Sequence, residues 1–511
     1  MTPRPASVAV RVEVVRRLEE VAMAQLPSGT LMARASAALA VEAGSMLREL
    51  VGRVTGSRLV LLVGAGDNGG DALYAGARLA ARGARVDAVL VADRHHEGGA
   101  AALVRAGGQV HRTDDLVAAA ELVARADLVV DGILGIGGRG ALRGAAAVLA
   151  AVAREVEASV LAVDLPSGVD ADTGHVADAE AVVHADRTAV FGVLKPGLLL
   201  GAGSSCTGDL AVVDIGLDLS GVDPAQLLVL VDDQLAAALL PRPLDGDDKY
   251  TRGVVGVATG SARYPGAGLL SAGGARAGVA GLVRYCGPAA ATVVAAFPDI
   301  TATSGGLEAA GRVQTWVVGS GRGTDDEARR VVLEALGTDT PLVLDADALT
   351  ILATDGVVRA ALRARVASTL LTPHAGELTR ITGRPTGPDR VGAARDLAVE
   401  LGVVVLLKGS ATVVAGPLGR AYVALAAPAE LATAGSGDVL AGFVGSMLAH
   451  HQARGPLDDG DVARLAAVAA HVHGEAGSVA VGGGRTITAV ELAAALPEAV
   501  RRTRAEVSHD T

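Results

Sequence analysis

The stretch LATAGSGDVLAG, residues 431–442, sets one carboxylate, Asp438, directly behind Gly435, Ser436 and Gly437 and ahead of an apolar, helix-compatible run. Glycines let a backbone approach a ligand closely, and free N–H groups at a helix start form an anion site. An ionised Asp there is either a helix cap or a base held beside a bound phosphate. Other groups in the same half fit the second reading. VVVLLKGSATVVA puts Lys408 at a strand end, where an ammonium could meet a phosphate, and LLTPHAGEL carries His374 and Glu377 past another strand. VLDADAL ends a strand in two acids, and YPGA and VVGSGRG add glycine-rich loops. Together they describe a nucleotide pocket with one acid in a catalytic position.

The first half carries a different set. LVLLVGAGDNGGDAL contains G-x-G-x-x-G between a strand and a helix, and Asp93 ends the next strand, as a dinucleotide-binding dehydrogenase would require. Three features pull away from that reading. Asn68 and Asp71 add polar side chains to the glycine loop, Asp131 ends a strand before a second glycine-rich loop, and Asp164 ends another with Ser167 and Gly168 just after. Each alone could be a turn cap. In series, at the C-terminal ends of parallel strands, they converge on one crevice. Asn68, Asp131 and Ser167 offer hard oxygen atoms for a cation. His95 and His96, in a charged loop, read as solvated.

These residues need a scaffold of strands and helices, and the sequence supplies one. Valine- and leucine-rich runs of strand length (SRLVLLV, ADLVVDGI, SVLAVDL, QTWVVGS, PLVLDA, VVVLLKG) alternate with helical patterns. That rhythm predicts α/β architecture around parallel sheets covered on both faces. It pauses after DIGLDLSGVD and resumes past PRPLDGDDKYTRG, so 511 residues divide into two domains, 1–225 and 226–511. Half the residues are hydrophobic but only 2% aromatic, so the core is built of Ala, Val and Leu. A formal net charge of −11, with no basic cluster, argues against nucleic acid as a partner. Cys206 and Cys286 lack metal-ligand spacing and read as buried thiols of a reducing compartment. No apolar run is long enough to span a membrane and no signal segment opens the chain. A soluble, cytoplasmic homo-oligomer is the expectation.

GAGDNGGDAL, VVDGILGIGGRG, AVDLPSGVDADTG and FGVLKPG resemble, in order, the motifs of the NAD(P)H-hydrate epimerases, the YjeF N-terminal domain family, over residues 1 to about 220. The resemblance implies a Rossmann-like domain that interconverts the R and S epimers of hydrated NADH and NADPH (NADHX and NADPHX). It places substrate on Asp67, Asn68, Gly69, Gly70 and Asp71 and on Gly135, Ile136, Gly137, Gly138, Arg139, Gly140 and Ala141. It makes Asp164 the substrate-binding acid/base, and Asn68, Asp131 and Ser167 potassium ligands. Asp67 departs from the family's usual Asn and Ala72 from a common Gly. The role of Lys195 stays open.

YPGA, LDADAL, LTPHAGE, VLLKGSATVVA and AGSGDVLAG are similar to the ADP-dependent NAD(P)H-hydrate dehydratases, over residues 245 to about 500. A ribokinase-like domain is implied, with ADP as co-substrate and magnesium. The hydrate would meet Ala267, Gly321, His374 and Asp438, while Lys408, Gly409, Ser410, Ala411, Thr412 and Gly437 would hold the AMP portion. Ser436 stands where Thr is more common and Ala375 where Pro is. In this reading Asp438 is a general base on the C6 hydroxyl and the loop amides stabilise the transferring phosphoryl. The rival is a ribokinase-like small-molecule kinase carrying a non-catalytic N-terminal binding module. It predicts a stable phosphorylated product, whereas repair predicts reduced cofactor and free phosphate.

Overall fold

A computed structural model describes residues 7–425 and 428–506 and divides the chain into two compact units, Met1–Leu227 and Leu228–Thr511. The first unit is built on seven strands: β1 (Arg58–Val63), β2 (Arg85–Leu90), β3 (Gln109–Arg112), β4 (Leu128–Gly132), β5 (Val160–Val163), β6 (Arg187–Phe191) and β7 (Asp209–Val213). All neighbours are parallel, in the order β3-β2-β1-β4-β5-β6-β7. The direction of winding reverses between β1 and β4, which opens a crevice at their C-terminal ends. Side chains alternate along each strand. Leu59, Leu61 and Val63 face helices Thr30–Val51 and Asp67–Ala80, while Val60 and Leu62 face Leu116–Ala124 and Gly144–Glu155. Burial on both faces is why these strands read as unbroken apolar runs.

Ten further strands build the second unit: β8 (Leu228–Leu230), β9 (Val254–Ala258), β10 (Leu282–Cys286), β11 (Thr301–Thr303), β12 (Thr315–Val318), β13 (Leu342–Leu344), β14 (Thr369–Leu371), β15 (Val404–Leu407), β16 (Thr412–Ala415) and β17 (Ala421–Ala424). From β11 the order runs β11-β10-β9-β12-β13-β14-β15-β16-β17-β8. The central strands are parallel, and β16 is antiparallel to both β15 and β17. Winding reverses between β9 and β12, so this sheet also has its crevice there. Helices Pro265–Arg276, Ser436–Gln452 and Asp459–Val481 pack their Ala, Val and Leu against one face of the sheet. The first two of these helices touch backbone to backbone. A β-carbon on Gly442 would lie 2.0 Å from the Ser271 carbonyl oxygen, and one on Gly274 2.1 Å from that of Val439. Among the described residues no helix is long and apolar enough to cross a membrane.

Candidate active sites

In the first unit a cavity of about 1120 Å³ opens at the C-terminal ends of β1 and β4. Asp67, Asn68, Asp71, Gly135, Ile136, Gly137, Gly138 and Asp164 line it. Gly69, Gly70, Arg139, Gly140 and Ala141 lie outside that lining, as does Asp93, which is exposed. The helix start at Asp67 carries no side-chain cap, so the glycine loop presents its amides to the cavity mouth. Asp164 sits immediately after β5 with φ +66°, a left-handed backbone uncommon outside glycine. That turn aims its carboxylate back at the sheet end. There Oδ1 accepts from the Phe191 amide at 2.9 Å and from the buried ammonium of Lys195, which also donates to the Phe191 carbonyl at 3.2 Å. Lys195 therefore belongs to the site, as the counter-ion of Asp164.

Asp131 ends β4 in complete burial. Its partners are all neutral: the Ser167 amide at 2.8 Å, the Ser167 hydroxyl at 2.7 Å and the Ile133 amide at 3.2 Å. Burial outweighs these bonds and pushes the carboxyl up to about 6. Ser167 Oγ accepts from the Leu134 amide at 2.8 Å, and Asn68 Nδ2 donates to the Val163 carbonyl at 2.5 Å and to that of Leu134 at 3.3 Å. The three predicted cation ligands thus meet around Leu134. A β-carbon on Gly135 would fall 2.4 Å from Asn68 Oδ1, so the glycine keeps that oxygen open. One carboxylate without a cationic side chain, among neutral oxygens, is a donor set suited to a weakly charged cation.

Asp71 is also buried, and its Oδ1 has no hydrogen-bond partner among the described residues. Burial, then Asp164, Asp67 and Glu19, push it up to about 8, so it is protonated at neutral pH. Glu19 is raised as well, by burial first, with Lys195 opposing. The helix Val12–Gln25 brings Glu19, Arg16 and Met23 to the cavity. Nothing in its sequence marked those residues; its amphipathic pattern reads as ordinary packing. His95 and His96 are half-buried rather than solvated. His96 Nδ1 accepts from the Gly99 amide at 3.0 Å, capping the helix Glu97–Arg105, and its ring lines the cavity against Tyr74.

In the second unit, an open pocket of about 600 Å³ brings together Ala267, Gly321 and Asp438, with Arg263, Tyr264 and Asp347. Gly435 precedes the helix Ser436–Gln452 with φ +90°, which a side chain would resist. Asp438 lies in the first turn and does not cap it. No described group accepts from the amides of Gly437 and Asp438, at the helix start beside the pocket that Asp438 lines. Burial, then Asp345, push the Asp438 carboxyl up to about 7, against a Ser320 hydrogen bond and Lys408. A base near neutrality is what proton abstraction at physiological pH requires.

Lys408 follows β15 and donates to Asp345 Oδ1 at 2.8 Å. A β-carbon on Gly437 would lie 3.3 Å from its ammonium, so the lysine reaches the helix start. Burial disfavours its charge, yet Asp345 and Glu377 outweigh burial and hold it protonated. Ala346, with φ +52°, turns the chain between Asp345 and Asp347, sending one acid into the core and the other to the pocket. His374 is exposed and caps the helix Ala375–Thr382, Nδ1 accepting from the Gly376 and Glu377 amides. Of Gly409, Ser410, Ala411 and Thr412, the last opens β16 and Gly409 packs against Arg390. His473, pushed down to about 4 by burial, is neutral and meets the Ser436 carbonyl through Nε2 at 3.0 Å.

Residues 28–197 match a family model described as YjeF-related protein N-terminus, and residues 255–498 one described as NAD(P)H-hydrate dehydratase. A relative from Mycobacterium tuberculosis, a bifunctional NAD(P)H-hydrate repair enzyme Nnr, is 46% identical over 439 residues, covering 86% of this chain and 88% of its own. One of the same name from Mycobacterium leprae is 46% identical over 444 residues, with the same coverage of each chain. Among solved structures, an ADP/ATP-dependent NAD(P)H-hydrate dehydratase from Bacillus subtilis, co-crystallised with ATP/Mg2+, is 26% identical. It covers 53% of this chain and 97% of its own, with a TM-score of 0.46.

Proposed function

Because the chain belongs to the family of bifunctional NAD(P)H-hydrate repair enzymes, we propose that its two crevices divide the repair, epimerisation in the first unit and ADP-dependent dehydration in the second. The first reading rests on Asp164, whose Oδ1 is tied to Lys195 and Phe191 inside a cavity large enough for a nicotinamide ring and its ribose. An anchored carboxylate with one oxygen occupied can give and take a proton at the hydrate's C6 hydroxyl with the other. Loss and return of that oxygen on opposite faces interconverts the epimers. Potassium would be held by Asn68, Asp131 and Ser167, and when bound it supplies the positive charge that a buried Asp131 lacks.

The dehydratase reading rests on one observation above the rest: Asp438 stands uncapping at a helix start, beside two free amides and Lys408. Asp438 takes the proton of the C6 hydroxyl as that oxygen attacks the β-phosphoryl of ADP, and AMP leaves. The Gly437 and Asp438 amides and Lys408 hold the phosphoryl charge during transfer. The C6–O bond then breaks, pushed by the ring nitrogen, and phosphate carries the oxygen away. Loss of a proton from C5 restores the dihydropyridine. Among the described residues no three His, Cys, Asp or Glu side chains converge to hold a metal ion. Magnesium would accompany the nucleotide phosphates, whose charge it would offset when bound.

Mixed R and S hydrate, supplied with ADP or ATP and magnesium, tests both halves. NAD(P)H should appear from all of the hydrate, with one phosphate per turnover and ADP effective. A stable phosphorylated hydrate would favour a kinase, and a residue of R epimer would leave the first unit without catalysis.

A further inference from the structure

The His96 ring lines the first unit's cavity and is fixed from several sides. Its Nδ1 accepts from the Gly99 amide at 3.0 Å, and the Tyr74 ring stands edge-on with centroids 5.3 Å apart. A β-carbon on Gly70 would lie 3.1 Å from its Cδ2, so the ring rests against the glycine helix. A nitrogen that accepts an amide hydrogen carries none of its own, which puts the ring's hydrogen on Nε2. No described residue takes that hydrogen. His96 thus offers the cavity an oriented donor with no acceptor bound.

The sheet says which part of a dinucleotide would meet it. His96 follows β2 and Asp164 follows β5, with the glycine loop after β1 between them in the order β2-β1-β4-β5. Neighbouring strands are about 4.8 Å apart, so these three steps span about 14 Å. That is comparable to the distance from nicotinamide ring to adenosine ribose in an extended dinucleotide. With the ring at Asp164, the diphosphate falls on the uncapped start of the helix Asp67–Ala80 and the adenosine ribose beside His96.

We infer that His96 selects the adenosine half of the hydrate, its Nε2–H donating to the ribose 2′ substituent and favouring NADPHX, which carries a phosphate there, over NADHX. The inference rests on the epimerase reading of the first unit. In a dinucleotide fold, an acid after the second strand takes the ribose 2′-hydroxyl, and its charge repels a phosphate. Here Asp93 and Glu97 are exposed and outside the cavity lining, and the polar side chain that this loop gives to the cavity is a donor. Donation to a phosphate oxygen is charge-assisted and about twice as strong as donation to a hydroxyl.

Two variants remove the donor in different ways. His96→Asn keeps an oxygen for the Gly99 amide but is too short to place a donor where Nε2 stands. His96→Phe keeps a ring against Tyr74 and has no donor. Initial rates of R-to-S conversion are measured for NADPHX and for NADHX without ADP, and unfolding temperatures show that each variant is folded. The kcat/KM ratio of NADPHX to NADHX should fall by about 10-fold in both. A ratio unchanged in either folded variant, whether both hydrates slow together or neither does, overturns the inference. NADPH and NADH carry the same adenosine halves, and their fluorescence reads binding without turnover. The Kd of NADPH should rise in the variants by about 10-fold more than that of NADH. If the wild type epimerises neither hydrate, the epimerase reading fails, and these constants decide the role of His96 by themselves.

Discussion

Lys195 and Asp164 form a buried ion pair closed into a ring by Phe191, whose amide bonds the carboxylate and whose carbonyl accepts from the ammonium. Removing one member of such a pair leaves the other charge uncompensated, at a cost of about 3–5 kcal/mol. Lys195→Met should therefore lower the unfolding temperature of the first unit and slow epimerisation, while dehydration of pure S hydrate continues. Calorimetry and epimer-resolving chromatography check the two effects. Unchanged epimerisation in a destabilised variant would make the lysine purely structural.

Potassium should bear on stability as well as rate. Asp131 is raised from 3.8 to about 6 in the folded chain. The folded state thus binds its proton more tightly than the unfolded state, and this group's contribution to stability falls as pH rises from about 4 to about 6. A cation beside Asp131 opposes that fall. The unfolding temperature in potassium chloride should exceed that in a bulky organic-cation chloride by a margin that opens above pH 6. A margin independent of pH, or none, would remove potassium from Asp131.

Asp438→Asn keeps the shape of the site but cannot accept the hydroxyl proton. Dehydration should fall by about 10²–10⁴-fold, and R/S interconversion should proceed near the wild-type rate. The wild-type dehydration rate should climb with pH through about 7, where Asp438 ionises. Rate assays with the epimers separated check both statements. Loss of both activities in a folded variant would undo the assignment of one reaction to each unit.

Asp67, exposed at the cavity mouth, is one of the charges that raise Asp71. Asp67→Asn should lower the Asp71 carboxyl from about 8, a shift that a carboxyl-resolved NMR titration reads. An unmoved Asp71 titration would mean that solvent screens the charge.

The parallel sheets were legible because strands buried on both faces leave continuous Val and Leu runs, and because carboxylates such as Asp131 and Asp164 follow them directly. What the sequence hid were relationships that folding alone creates. FGVLKPG showed a lysine, yet only the return of that loop against β5 sets Lys195 on Asp164. LDADAL showed two acids, but the left-handed Ala346 separates their fates, and Ser320 became visible only as a donor to Asp345. Glu19 and Arg16 reach the first cavity from a helix whose spacing says nothing but amphipathic.

The crossing of Gly274 and Gly442 lies about two turns past Ala267 on one helix and about one turn past Asp438 on the other, below the pocket that these two residues frame. With backbone against backbone, the two helices have no slack left, and their starting points are held at a fixed gauge. A single methyl at either glycine would act as a wedge at the base of a pair of tongs, spreading the tips. Adaptation of this pocket to a larger or smaller guest must therefore run through the loops that close over it. The helices that carry the base are, in that sense, the part of the domain least free to change.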